Sequence, residues 1–355
     1  MINIFYLLST AILSSVLSFI VYKLSLKYKL LDNPDEERRV HKKSTPNLGG
    51  IAIFISFWLV MLFFIVFNKV SGDYFKYLIG LFAGSSILFL TGVFDDLKKI
   101  NTRTKFFIQI LSGLIIIASG VGITFINNPF GGFLFLDQIK IPIDLFGSIY
   151  TITLLADIFA LIWIVGMINV INFLDGLDGL ASGVSGLAFL SIFILSMLPS
   201  VAQPLSAIIA IIMLGAILGF LPFNLNPAKM FMGDTGSMFL GFMLATLAII
   251  SGGKVATALL VLGLPIFDGL WVAISRILKG KKPWDADRNH LHHKLLDLGL
   301  SMRGVVLVFW LITALFGGIS LIESAKIKLF AIITLIILLA ISRVIIEWRI
   351  KKITK

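Results

Sequence analysis

Gly49-Gly50-Ile51-Ala52-Ile53-Phe54-Ile55-Ser56-Phe57-Trp58-Leu59-Val60-Met61-Leu62-Phe63-Phe64-Ile65-Val66-Phe67 carries no charge and a single hydroxyl. As a helix rising about 1.5 Å per residue, it nearly matches the ~30 Å hydrocarbon core of a bilayer. Runs of the same character recur along the whole chain. The expected spans lie near 2–22, 49–67, 77–94, 106–126, 150–171, 180–198, 204–221, 237–251, 255–275, 304–322 and 327–346. That makes about eleven transmembrane helices, and ten if one is not a full span. The sequence therefore predicts an all-α polytopic membrane protein, with 1–355 as one integral-membrane domain.

Composition agrees. Of 355 residues, 58% are hydrophobic and 14% charged, against about 25% charged in soluble proteins. There is no cysteine, which excludes disulfides, a thiolate nucleophile and a thiolate-bound metal. The net charge of +11 does not require a nucleic acid partner, because Lys and Arg gather on cytoplasmic loops of membrane proteins. With the N-terminus outside, 24 of the 30 Lys and Arg fall on inner segments. The C-terminus is then cytoplasmic. Lys23, Lys27 and Lys29 follow the first span and no basic residue precedes it, the reverse of a signal peptide, so a retained helix is expected. In the outer segment Ile139, Ile141, Ile143 and Leu145 alternate with Lys140, Pro142 and Asp144. This period of two predicts a short outer β-hairpin near 133–145, with Phe133 to Leu136 as the partner strand.

The few acids are unevenly placed. Asp95 and Asp96 follow the third span, Asp175 and Asp178 lie between the fifth and sixth, and Asp234 precedes the eighth. All five are expected on the cytoplasmic face at membrane level. Carboxylates there are costly unless paired, hydrated or bound to a cation. Single acids of this kind only mark helix ends; five without matching bases suggest Mg²⁺, which takes one or two carboxylates plus water and substrate phosphates.

In Asn169-Val170-Ile171-Asn172-Phe173-Leu174-Asp175-Gly176-Leu177-Asp178-Gly179 four polar side chains recur every three residues. On a continuous helix the first and last would face apart. Gly176 and Gly179 weaken the helix, so the fifth span should end near Asn172 and the two Asp-Gly pairs should turn along a cytoplasmic cavity. The plainer reading is that Asp175 and Asp178 cap the sixth span. In Phe231-Met232-Gly233-Asp234-Thr235-Gly236 the glycines allow close approach of a ligand, and Phe231 is placed to stack on a flat base. Here the plainer reading is Asp234 as the helix N-cap. Arg288, His290, His292 and His293 form a basic, histidine-rich inner segment. It is poor in further zinc ligands and better suited to an anionic substrate or sugar hydroxyls.

These segments resemble the polyprenyl-phosphate N-acetylhexosamine-1-phosphate transferases, the family of MraY, WecA and TagO. The matching stretches run in order: Arg39-x-His41 to Gly50, Asp95-Asp96, Asn169 to Gly179, Phe231 to Gly236, and His290-Leu291-His292-His293. The resemblance implies transfer of a hexosamine-1-phosphate from a UDP-sugar donor to undecaprenyl phosphate, a polyprenyl phosphate lipid, with release of UMP. It implies Mg²⁺ on Asp234, with Mn²⁺ as a possible substitute, and a catalytic pair at Asp95 and Asp96. Asp178 and Phe231 would hold the uracil, and Lys42, three residues before Thr45, the nucleotide; Asn172 and Asp175 belong to the same substrate site. The histidine spacing is similar to the WecA/TagO-type branch, which implies UDP-N-acetylglucosamine and the first membrane step of a cell-envelope glycopolymer such as teichoic acid or O-antigen. A bacterial inner-membrane location with the site facing the cytoplasm is expected, and a homodimer is possible.

Phosphoryl transfer depends on positioning and charge neutralisation more than on covalent chemistry. Asp95 or Asp96 would remove or orient the acceptor's proton; a two-step aspartyl-bound route is equally compatible. Phospho-N-acetylmuramoyl-pentapeptide transfer is the alternative within the family. An ion-coupled transporter is the alternative outside it, for which Asp268, inside the ninth span, is the fitting acid.

Overall fold

The computed structural model describes residues 2–32, 44–128, 130–145, 148–251, 255–282, 289–322 and 324–353. The helices are α1 (Ile2–Lys27), α2 (Gly49–Phe67), α3 (Asp73–Lys98), α4 (Thr102–Ala118), α5 (Leu154–Leu174), α6 (Leu180–Met197), α7 (Pro204–Asn224), α8 (Gly233–Ile250), α9 (Val255–Val261), α10 (Gly263–Leu278), α11 (Leu291–Asp297), α12 (Met302–Ser320) and α13 (Ala325–Ile353). Among the described residues nine helices are long and apolar enough to cross a membrane, or ten with α9 and α10 taken as one broken span. The chain is an all-α polytopic membrane protein.

Every expected span falls on a helix, with two corrections. The ninth is broken, α9 and α10 meeting at 81°. Pro265 has no N–H to offer the carbonyl of Val261, and its ring opposes continuation of the helix there. The fourth ends at Ala118, and Phe125–Asn127 is a strand, β1, rather than helix.

The outer hairpin is also re-paired. β1 runs antiparallel to β2 (Phe133–Phe135), and β3 (Lys140–Leu145) pairs with β4 (Ser148–Thr153), Ile141 opposite Ile152 and Leu145 opposite Ser148. The alternating segment thus pairs with the residues after it, not with Phe133 to Leu136. Ser148-Ile149-Tyr150-Thr151-Ile152-Thr153 is β-branched and apolar enough to pass for the start of a span, which hid the second strand.

Close helix contacts are made by small residues, as expected where lipid gives no hydrophobic drive to association. A Cβ at Gly219 of α7 would lie 2.2 Å from the Ala11 carbonyl of α1, and Ser14 donates to the Ala216 carbonyl at 2.6 Å. At one end of the bundle α8 is gripped by α2 and α3. A Cβ at Gly50 would meet the Gly236 nitrogen at 2.1 Å, and one at Gly92 the Thr235 Cα at 2.4 Å. Phe231 N–H donates to Pro46 O at 2.7 Å, while Gly49 and Gly50 N–H donate to Phe231 and Met232 carbonyls at 3.0 and 2.8 Å. The loop leading into α2 is thereby fastened to the loop leading into α8.

Candidate active site

The same end of the bundle gathers the carboxyl ends of α3, α5 and α7 and the amino ends of α2, α6 and α8. Asp96, in the last turn of α3, supplies the cap that the start of α8 lacks. It accepts from Asp234 N–H at 2.9 Å, Thr235 N–H at 3.0 Å and the Thr235 hydroxyl at 2.6 Å. Gly233 has φ +72°, and a Cβ there would lie 2.2 Å from the Asn47 carbonyl and 2.5 Å from Asp96 Oδ2. Asp234 therefore lies inside the first turn of α8 rather than capping it, and its carboxylate faces a cavity.

Lys105, at the start of α4, holds two of the acids together. Its Nζ lies 2.6 Å from Asp95 Oδ2 and 2.7 Å from Asp234 Oδ2. Asp95 Oδ1 accepts from Ile100 N–H at 2.6 Å. On the other side Asn172 donates to Asp234 Oδ1 at 3.1 Å and to Ser237 Oγ at 2.9 Å. Asn169, one turn back on α5, instead donates to Gln109 Oε1 at 2.7 Å and takes no part in the cavity wall.

Residues 175–179 form a turn between α5 and α6, two residues beyond the expected helix end. Gly179 closes it in the left-handed region, φ +78°. Asn224 fixes it from α7: its Oδ1 accepts from Gly179 N–H at 3.1 Å and Ser182 Oγ at 2.7 Å, and its Nδ2 donates to Met230 O at 3.2 Å. Asp178 Oδ2 accepts from Asn226 Nδ2 at 2.9 Å and Ala228 N–H at 3.0 Å. Burial, then the charges of Asp234, Asp96 and Asp178, push the Asp175 carboxyl well above the ordinary carboxylate range.

These groups line a cavity of about 330 Å³ that includes Asp95, Asp175, Asp178, Phe231, Asp234 and His293. Among the described residues no three His, Asp or Glu side chains are grouped to hold a metal alone. Asp95 and Asp234 share one ammonium, which fits a hard divalent cation completed by water and phosphate oxygens rather than a closed protein cage.

Residues 78–252 match the model of Glycosyl transferase family 4. The probable undecaprenyl-phosphate N-acetylglucosaminyl 1-phosphate transferase of Bacillus subtilis is 33% identical over 336 residues, covering 92% of this chain and 87% of that protein. The decaprenyl-phosphate N-acetylglucosaminephosphotransferase of Mycolicibacterium smegmatis is 30% identical over 327 residues, 86% of this chain and 78% of that protein. The chain belongs to the polyprenyl-phosphate N-acetylhexosamine-1-phosphate transferase family. The phospho-N-acetylmuramoyl-pentapeptide-transferase of Staphylococcus aureus is also similar, 31% identical over 295 residues, 80% of this chain and 87% of that protein.

In this member of the family the structure brings Asp95, Asp96, Asn172, Asp175, Asp178, Phe231, Asp234 and His293 to the cavity. Two of the three candidate histidines lie elsewhere: His290 is turned toward Asp268, and His292 is 1% exposed, packed against Gly176. Lys42 and Arg288, like Arg39 and His41, lie outside the described residues. Sequence reasoning missed Lys105, Asn224 and Asn47. Lys105 sits among Lys98, Lys99 and Arg103, and so reads as one more basic flank. Its one distinguishing sign was nearness in sequence to the Asp95-Asp96 pair.

Proposed function

We propose that the protein transfers N-acetylglucosamine-1-phosphate from UDP-N-acetylglucosamine to undecaprenyl phosphate, giving undecaprenyl-diphospho-N-acetylglucosamine and UMP. The observation that carries this reading is the convergence on one cavity of Asn172 and five carboxylates from α3, α8 and the 175–179 turn, with Asp32 as a sixth and Phe231 on its wall. A nucleoside diphosphate sugar offers that cavity a flat base, a diphosphate and hydroxyls. The donor is supported by the relatives named for N-acetylglucosamine, which cover more of this chain than the pentapeptide transferase does. The product would start a cell-envelope glycopolymer, and the cavity would open at the cytoplasmic face of a bacterial inner membrane, the end that the basic loops favour.

A phosphate oxygen of the lipid attacks the β-phosphorus of the donor, and the bond from that phosphorus to the bridging oxygen breaks, its electrons leaving on UMP. Asp95 is the group placed to take a proton from the lipid phosphate or to orient it. Asp96 is committed to the start of α8 by three hydrogen bonds. Mg²⁺, or Mn²⁺ in its place, would be held by Asp234, with Asp95 nearby, and would supply charge neutralisation to the diphosphate. Phe231 and Asp178 would take the uracil, Asn172 keeps the Asp234 carboxylate oriented, and His293, in the cavity wall, would meet the sugar. The transporter alternative loses its fitting acid, since Asp268 is saturated by hydrogen bonds from His290, Leu291 and Arg343.

The test supplies purified protein with undecaprenyl phosphate, Mg²⁺ and one UDP-sugar at a time, and weighs the lipid product. Only UDP-N-acetylglucosamine is expected to yield a new lipid. A lipid carrying muramoyl-pentapeptide and none carrying N-acetylglucosamine would overturn the donor assignment.

A further inference from the structure

Asp268 lies outside the cavity, in α10, 4% exposed. Its Oδ2 accepts from His290 Nδ1 at 2.9 Å. Its Oδ1 accepts from Leu291 N–H at 2.8 Å and from Arg343 Nη1 at 2.9 Å. Arg343, in α13 and 3% exposed, also donates Nη2 to the Asn289 carbonyl and Nε to Glu347 at 3.2 Å. Its guanidinium lies over the Trp271 ring, 5.9 Å from the centroid. Thus Asn289, His290 and Leu291 are each held, the first by Arg343 and the other two by Asp268. A buried ion pair of this kind is weak support for stability, because apolar side chains of the same volume often do as well. What it fixes is a position.

The position leads to the cavity. With a carboxylate on Nδ1, His290 carries its proton there and its tautomer is set. Its ring stacks on His292, centroids 5.6 Å apart and planes 11° apart, with Phe173 of α5 at 5.7 Å. His292 is enclosed, and a Cβ at Gly176 would lie 2.8 Å from its Nε2. Gly176 sits between Asp175 and Asp178, so the His292 ring abuts the turn that carries both acids. Burial, then the charges of His293 and His290, hold the His292 imidazole well below its ordinary pKa, so it packs against that turn as an uncharged ring. The next residue, His293, is itself in the cavity wall.

We propose that Asp268 and Arg343 are positioning residues for UDP-sugar binding, holding His293 and, through the His290–His292 stack, the Asp175–Asp178 turn. This rests on the reading of the cavity as the donor site. It assigns α13 a part in donor recognition although Arg343 hydrogen-bonds Asp268, Asn289 and Glu347, none of which lines the cavity.

The experiment measures kcat and KM for both substrates on the full-length protein in nanodiscs, with the thermal midpoint of each variant. The variants are Asp268→Asn, Arg343→Lys, His290→Phe and the charge-neutral double Asp268→Asn/Arg343→Gln, with Asp178→Ala as a benchmark in the cavity. Donor KM is expected to rise roughly tenfold or more in Asp268→Asn and in the double variant, with lipid KM within about twofold. Arg343→Lys keeps the charge but loses the fork, so a smaller rise is expected. If the single buried-charge variants do not fold, the double variant and His290→Phe carry the test. Lowered thermal midpoints with unchanged donor KM would show mere scaffolding and overturn the inference. Unchanged donor KM in Asp178→Ala as well would overturn the cavity reading, and the inference with it.

Discussion

Replacing Asp96 by alanine is expected to loosen the start of α8, whereas replacing Asp95 by asparagine is expected to remove turnover from an intact fold. Asp96 accepts two backbone N–H groups and one hydroxyl at 2.6–3.0 Å, and Thr235, which supplies two of these donors, is 0% exposed. Loss of a helix cap costs about 1–2 kcal/mol, and each buried donor left without an acceptor about 1–3 kcal/mol. Taking the cap and the two Thr235 donors together gives about 3–8 kcal/mol, a fall in Tm of roughly 5 °C or more for a chain of this size. Asp95→Asn keeps an oxygen for Ile100 N–H, and Lys105 keeps Asp234 at 2.7 Å, so its Tm should stay within about 2 °C. The assay is thermal unfolding followed by intrinsic fluorescence, paired with UMP release at saturating substrates. An Asp96→Ala protein with the parent Tm and no turnover would refute the capping argument. An Asp95→Asn protein with the parent turnover would refute the division of labour between the two acids.

Asp234→Asn is expected to lower turnover roughly a hundredfold or more, by loss of the charge that would hold the proposed metal at the diphosphate; near-parent activity at limiting Mg²⁺ would overturn the assignment of Asp234 to the metal. Phe231→Ala is expected to weaken UDP binding by about tenfold or more, since stacking on a base is worth about 1–3 kcal/mol; calorimetry showing equal affinity would place the uracil elsewhere. Asp175 has its folded pKa raised, so above the unfolded carboxylate value of about 4 the unfolded chain ionises first and stability falls as pH rises toward the folded pKa. Asp175→Asn should therefore raise Tm at pH 7 to 8, with the gain shrinking toward pH 4; a gain independent of pH would show that its ionisation is not the cause.

Spans were legible because bilayer thickness sets one length for every helix, and apolar runs of that length are hard to mistake. The break at Pro265 was visible as a residue but not as a bend, because proline within a span is tolerated when neighbours take up the freed carbonyl. The second strand pair was hidden for a chemical reason: Ile149, Tyr150 and Ile152 serve a strand and a span equally well. At the site, Asp175, Asp178 and Asp234 could be read because acids near lipid demand an explanation, and Asn172 because it falls three residues before Asp175 in the same polar series. Lys105 could not, because a lysine at a helix start needs none until its Nζ is found between two carboxylates. His290, His292 and His293 were read together from spacing, yet only geometry separates the ring in the cavity wall from the two behind it.

The placement of the acids at helix ends has a physical basis. A carboxylate in mid-span finds the N–H groups of its own helix already bonded, so Asp268 in α10 depends on groups brought from elsewhere, Leu291 N–H, His290 and Arg343. At the start of α8 free N–H groups and the positive end of the helix dipole are available, and Asp96 takes two of those donors. Asp178 uses the equivalent resource of an irregular loop, the N–H of Ala228. Each acid that is tied down in this way fixes the backbone around another that is not. Asp96 orients the turn that presents Asp234, and Asp178 holds the turn that presents Asp175. Burial and the neighbouring charges of Asp234, Asp96 and Asp178 hold the Asp175 carboxyl well above the ordinary range, and a cation bound among these acids, as proposed, would act in the opposite direction.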